Sequence, residues 1–187
     1  TLLDTLRLAM DTALPEVWVL ELSSFQLDNA GPFDPSAATV LNITQDHLDW
    51  HGDFEQYAAA KARIFITNTI AVLNRDDDIV MNMQSDMDVV RRITFGVEAP
   101  TAEDAFGVFH DTAAGGIDWL VWAEPDAEAL ELKAKRRRKK VDLDDEPLRL
   151  KRLMPADALR IKGRHNASNA LASLALCIAI DIPMGPL

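Results

Sequence analysis

The chain has 187 residues, 48% hydrophobic and 26% charged, with a formal net charge of −11. That size and balance suit one globular domain, or one domain with a small appendage. The acidity argues against general nucleic-acid or anionic-membrane binding, and no apolar run reaches transmembrane length.

Cys177 is the only cysteine, so no intrachain disulfide is possible. A lone cysteine in an apolar helix, without a signal peptide, points to a reducing, cytoplasmic setting. The sequence opens on Thr inside a helix-like pattern and closes at Pro186 and Leu187, just past a helix. A piece of a longer protein is expected.

Thr1 to Ala13 carries Leu2, Leu3, Leu6 and Met10 at helical spacing, and Pro15 ends the pattern, so a packing helix is predicted. Val17 to Leu22, VWVLEL, is β-branched and apolar, as in a central strand buried on both faces. Glu21 and Ser23 fall where it ends. In open α/β sheets, ligands gather beyond the carboxyl ends of the strands, and a carboxylate there suits a hard cation such as Mg²⁺. A helix-capping or ion-pairing Glu fits the position equally.

Gly31 to Pro35 reads as a loop, and Ala38 to Asn42 as a second buried strand. Thr44 to Gly52 is a turn dense in ligand-type side chains: Asp46, His47, Asp49 and His51. Asp53 then opens a helix, with Gln56 three residues on as a variant capping box. Phe54, Tyr57, Ala58, Lys61 and Phe65 share one face of that helix. Burying an ammonium disfavours its charged form. Either Lys61 snorkels to water, or a partly neutral amine is wanted there beside a metal or charged ligand. A neutral amine can capture CO₂ as a carbamate, which turns a cation into an oxygen ligand.

Ile70 to Asn74 repeats the strand pattern, and Asp76, Asp77 and Asp78 read as the acidic first turn of a helix. Ile93 to Phe95 is a fourth strand. Alternating strand and helix is the signature of βαβ units. Phe106 to His110 and Trp119 to Ala123 flank Gly115 and Gly116 as a hairpin, and Leu148 to Leu153 adds a third strand to a small antiparallel sheet. Lys133 to Lys140, KAKRRRKK, holds seven basic residues in eight positions. It reads as a solvated insert, with a phosphate or nucleic-acid patch as the alternative. Gly163 to Ile180 is the last helix, with Asn166 as N-cap and Leu171, Leu174, Ala175 and Ile178 as its apolar face. His165, Asn166 and Asn169 cluster where a helix N-terminus favours anions, and an amide such as Asn169 can read a purine edge. The predicted fold is α/β: a mainly parallel sheet flanked by helices, with a small antiparallel sheet over about residues 100–157.

ELSSFQL at Glu21 to Leu27, NITQDHLDWHG at Asn42 to Gly52, YAAAK at Tyr57 to Lys61 and GRHNASNALAS at Gly163 to Ser173 resemble the central domain of the bacterial Mur ligases. Four blocks in the right order are a strong joint signal, although each alone is weak. The resemblance implies a P-loop-NTPase-like domain of a cytoplasmic, ATP-dependent amide ligase of peptidoglycan synthesis, and thereby of cell shape and division. The ELSSFQL form resembles the D-glutamate-adding branch, whose substrates are UDP-N-acetylmuramoyl-L-alanine, D-glutamate and ATP. By motif match, Glu21 would hold one Mg²⁺, and His47 with carbamylated Lys61 a second. Ser23 would contact the UDP-sugar, and Asn169, Asn166 and His165 the nucleotide. Asp46 would orient His47. A monomer is implied, with no nucleic-acid or membrane partner.

The family's glycine-rich phosphate loop, ending in Gly-Lys-Thr or Gly-Lys-Ser, occurs nowhere in these 187 residues. Residues 1–187 therefore resemble part of one domain of three, without the UDP-binding domain or the C-terminal domain. Three rival readings stand beside this one. The first is a sister Mur or folylpolyglutamate-type ligase. The second is a metal-dependent phosphohydrolase using His47, His51, Asp46 and Asp49. The third is a non-catalytic interaction domain with residues 133–140 as its contact. The isolated chain is expected to lack ligase activity; D-glutamate-dependent ADP release from it would refute that expectation.

Overall fold

The computed structural model describes residues 2–83, 90–113, 115–125 and 148–183. In chain order come α1 (Leu2–Asp11), α2 (Ser24–Asn29), β1 (Ala37–Val40), α3 (Leu48–His51), α4 (Phe54–Ala62), β2 (Ile70–Asn74) and α5 (Asp78–Asn82). Then follow β3 (Arg91–Phe95), β4 (Ala105–Asp111), β5 (Ile117–Ala123), β6 (Leu150–Pro155), a 3-10 turn (Ala156–Ala158) and α6 (Arg164–Ala179).

The six strands form one sheet in sequential order, β1 to β6. β1 to β4 run parallel, and β4–β5 and β5–β6 are antiparallel. Alternation along β2 fills both faces. Val72 joins Ile93, Phe95, Phe106 and Leu120 under Leu171 and Ala175 of α6. Ala71 and Leu73 join Val40, Phe65 and Tyr57 on the α4 side. The strands predicted from β-branched runs at β1, β2 and β3 are present, and so is the hairpin.

The expected antiparallel strands are present and are attached to the main sheet as its continuation. Thr94 and Phe95 of β3 pair in parallel with Ala105 and Phe106 of β4, and both phenylalanines are fully buried in one core. The hairpin therefore extends the main sheet. Val17 to Leu22, predicted as a central strand, is unpaired, with Val19 88% exposed. A strand exists only by pairing, and β-propensity records packing on a pleated surface rather than a backbone preference; among the described residues the outer edge of β1 is open. α1 forms, but not as the packing helix expected, since Leu6, Leu8 and Met10 are exposed. The basic run 133–140 lies outside the described residues.

Two members of the acidic triplet hold the backbone, and Asp78 lies in the first turn of α5 as predicted. Asp77 caps α5 by accepting from the Ile79 and Val80 amides, and its other oxygen accepts from Ile43 N–H at 2.7 Å. Asp76 accepts from Val97 N–H at 2.7 Å. Arg75, just before them, donates to the carbonyls of Phe106, Gly96 and Glu98. Burial pulls its guanidinium below the ordinary value, opposed by the neighbouring Asp76 and Glu98 charges. Gly107 leaves room for this crossing, because a Cβ there would stand 2.2 Å from the Glu98 carbonyl oxygen. Gly107→Ala is expected to cost about 1–3 kcal/mol, read as a lower urea midpoint with an unchanged slope.

Candidate active site

The ligand-rich turn is built around a non-glycine residue in the left-handed region. His47 has φ 53°, a conformation that costs energy and persists where its surroundings hold it. Asp46 supplies one restraint: its Oδ1 accepts from His47 N–H at 2.8 Å, and its Oδ2 lies 3.3 Å from His47 Nε2. The next is α3, whose Trp50 and His51 amides both donate to the His47 carbonyl at 3.1 Å. Gly52, at φ 89°, ends that turn. Asp53 opens α4 as predicted, accepting from Gln56 N–H at 2.8 Å and from its side-chain amide at 2.9 Å.

α2 starts with a full capping box. Ser23 Oγ accepts from Gln26 N–H at 3.2 Å, while Gln26 Oε1 accepts from Ser23 N–H at 2.9 Å and from its hydroxyl at 3.0 Å. The following Ser24 is buried, and its hydroxyl lies 3.0 Å from Nε2 of the equally buried His51. Phe25 then wedges between α2 and the turn. Its ring centroid lies 4.8 Å from His47, 5.3 Å from Trp50 and 5.6 Å from His51. Tyr57 of α4 meets His51 at 5.5 Å and His47 at 6.4 Å, and carries Lys61 Nζ 5.5 Å from its ring centroid.

The structure thus gathers His47, Asp46 and Lys61 around Phe25 and Tyr57. Lys61 is half-buried, with its ammonium over an aromatic face rather than in an apolar void. Glu21 lies exposed in the unpaired stretch, two residues before the α2 cap, with no ion pair or hydrogen bond among the described residues. His165, Asn166 and Asn169 belong to the opposite layer, at the start of α6. Asn166 is not the N-cap: Gly163 holds that position, and Asn166 Nδ2 donates to the Lys162 carbonyl at 2.8 Å. A left-handed Gly163 at φ 111° already turns the chain into the helix, so the asparagine falls inside the first turn. Beside it is a cleft of about 320 Å³, bordered by the ion pairs Glu98–Arg164 and His110–Asp118 at 2.7 and 2.6 Å.

Among the described residues, no three His, Cys, Asp or Glu side chains are gathered as for a metal ion. His51 is buried with its Nε2 against Ser24, whereas His47 is exposed, so the two histidines of the phosphohydrolase reading do not present alike. The candidate donors left are the Glu21 carboxylate, the His47 imidazole and Lys61; a hard dication prefers oxygen, which Lys61 could offer only as a carbamate. Sequence reasoning gives Phe25 and Ser24 no role and places Tyr57 only on the face it shares with Lys61. Their signal was the spacing that puts an aromatic one turn before Lys61 and a second serine after a capping serine.

Hydrogen bonds from Gln56, first its backbone amide and then its side chain, hold the Asp53 carboxyl below its ordinary value of 3.8. A lowered carboxyl pKa adds stability that is complete above 3.8 and fades as pH falls through the folded value. Asp53→Ala should therefore lower Tm at neutral pH, and the gap from the parent chain should shrink as the pH drops below that range.

A family model described as the Mur ligase middle domain matches residues 2–177. The chain is 55% identical over 191 residues to the UDP-N-acetylmuramoylalanine--D-glutamate ligase of Burkholderia thailandensis, covering 100% of this chain and 37% of that relative. To the ligase of the same name from Cupriavidus metallidurans it is 53% identical over 192 residues, covering 99% and 37%. The chain therefore spans about 37% of the length of these curated relatives. Among solved structures, a UDP-N-acetylmuramoyl-L-alanyl-D-glutamate--2,6-diaminopimelate ligase matches with a TM-score of 0.55 at 21% identity, over 88% of this chain and 30% of that one. That likeness is one of fold. No helix among the described residues is long and apolar enough to cross a membrane.

Proposed function

Since this chain belongs to the Mur ligase family through its middle domain, we propose that it is the central part of a ligase that adds D-glutamate to UDP-N-acetylmuramoyl-L-alanine at the expense of ATP. The observation that carries this reading is 55% identity to a D-glutamate ligase along the whole chain. The geometry adds that the turn, the capped α2 and the lysine helix converge on one aromatic cluster.

In the proposed reaction, the terminal phosphoryl group of ATP passes to the alanyl carboxylate and ADP leaves. The D-glutamate amine attacks the carbonyl carbon of this acyl phosphate and loses a proton, and phosphate departs. Glu21, His47 and Lys61, the last as its carbamate, are the residues that would hold Mg²⁺. Magnesium, when bound, would neutralise charge on the phosphoryl oxygens. Asp46 keeps His47 oriented. A neutral Lys61 amine would take up CO₂ and release a proton, with the Tyr57 ring beside that nitrogen.

Ser23 has its hydroxyl proton and one lone pair engaged with Gln26, so a single lone pair remains to accept from the UDP-sugar. At the start of α6, Asn166 has spent one amide proton on Lys162. Asn169 and His165, both exposed, would contact the nucleotide. A cytoplasmic setting agrees with the unpaired Cys177.

Two measurements test this reading. In a protein of the relatives' full length carrying this segment, Lys61→Ala should lower D-glutamate-dependent ADP release by about 100-fold or more. Equal activity with another amino acid or a folate acceptor would instead move the protein to a sister ligase. In bicarbonate, the intact mass of the unsubstituted protein should rise by one CO₂, and that of Lys61→Ala should not. An unchanged mass in both would overturn the carbamate.

A further inference from the structure

We propose that Ser24 and His51 form a buried bracket that positions His47. This inference rests on the reading of His47 as a magnesium ligand. It adds two residues to which that reading gives no role.

The bracket joins segments far apart in sequence. Ser24 is 3% exposed and His51 8% exposed, and their side chains meet at 3.0 Å across a separation of 27 residues. Both belong to short helices that cannot hold themselves, so the pair fixes how α2 sits against α3. A buried hydroxyl and a buried imidazole nitrogen that satisfy each other also resist separation, because either alone would be left without a partner.

His47 feels the bracket by two routes. One runs through the backbone, where the His51 amide donates to the His47 carbonyl at 3.1 Å. The other runs through Phe25, next in sequence to Ser24. Its ring lies nearly parallel to His51, at 22° and 5.6 Å, and tilts against His47 at 4.8 Å. If Ser24 and His51 part, Phe25 loses the surface it leans on, and the turn loses its anchor. His47 needs such an anchor. It is exposed, so burial does not place it, and its left-handed backbone is held against its own preference. Tyr57 closes the far side of His51 and carries Lys61, so the same bracket keeps the imidazole and the lysine in register.

The chemistry suggests variants that separate the hydrogen bond from the packing. His51→Phe keeps a ring and removes the nitrogen. His51→Gln removes the ring but can return a polar nitrogen or oxygen to the Nε2 position. Ser24→Ala deletes only the hydroxyl. In the full-length ligase, Ser24→Ala and His51→Phe should lower kcat by roughly 10–100-fold with KM for ATP little changed, and raise the magnesium concentration needed for half-maximal rate. His51→Gln, which returns the polar contact but not the ring that Phe25 leans on, should recover part of the activity lost in His51→Phe. The double variant Ser24→Ala/His51→Phe should be no worse than the weaker single, as expected for partners in one interaction.

A second readout needs no activity. With histidine-labelled protein, the His47 ring resonances should move in Ser24→Ala and His51→Phe, because Phe25 shifts beside them. If His51→Phe does not fold, Ser24→Ala carries the test. If the parent protein shows no D-glutamate-dependent turnover while the His47 resonances move as stated, the ligase reading fails and the bracket stands. Folded Ser24→Ala with unmoved His47 resonances and parent-like kcat would overturn the bracket. So would a loss of Tm and activity together that His51→Gln does not rescue, since that marks a merely structural pair.

Discussion

The molecule depends on a strand that has no solvent side. Ile70–Asn74 sits between parallel neighbours, and its alternate residues fill two separate cores. Val72 faces α6, while Ala71 and Leu73 face the α4 side. Burying both faces of a sheet requires a helix on each. That demand fixes α4 and α6 as the two covering layers, and with them the two places where polar chemistry can collect. The start of α6 carries the asparagines, and the far side carries the lysine helix.

The second constraint is local and polar. The turn before α4 holds its reactive side chains outside any regular element, so sheet packing does not orient them. Orientation comes instead from an aromatic wedge and a few hydrogen bonds. Phe25 touches His47, Trp50 and His51, and Tyr57 bridges the histidines to Lys61. Asp46 binds both the backbone and the ring of His47. The result is an exposed imidazole held from several sides, an arrangement that suits the ligand role proposed for it.

Much of the frame was legible in the chain. β-branched runs at Ala38–Asn42, Ile70–Asn74 and Ile93–Phe95 announced strands, and the strands stand at Ala37–Val40, Ile70–Asn74 and Arg91–Phe95. The Asp53 cap and the glycine pair of the hairpin were equally readable, because caps and turns are decided within a few residues. The same logic failed at Val17 to Leu22, whose composition is that of a strand but which has no neighbour to pair with in the described sheet. It also failed at Asn166, where a left-handed glycine set the helix start one turn earlier than the side-chain rule suggests.

Sequence alone determined the kind of site: four motif blocks in order, a lysine on an apolar stripe, and ligand-type side chains in one short turn. These are matters of residue type and spacing, which the chain carries in one dimension. Tertiary structure decided which of those side chains is free to act. His47 and His51 look alike as an i, i+4 pair, yet one is exposed beside Asp46 and the other is buried against Ser24. Spacing along a chain cannot separate them, because the partner that buries His51 comes from a helix 27 residues away, and burial is a property of the assembled layers.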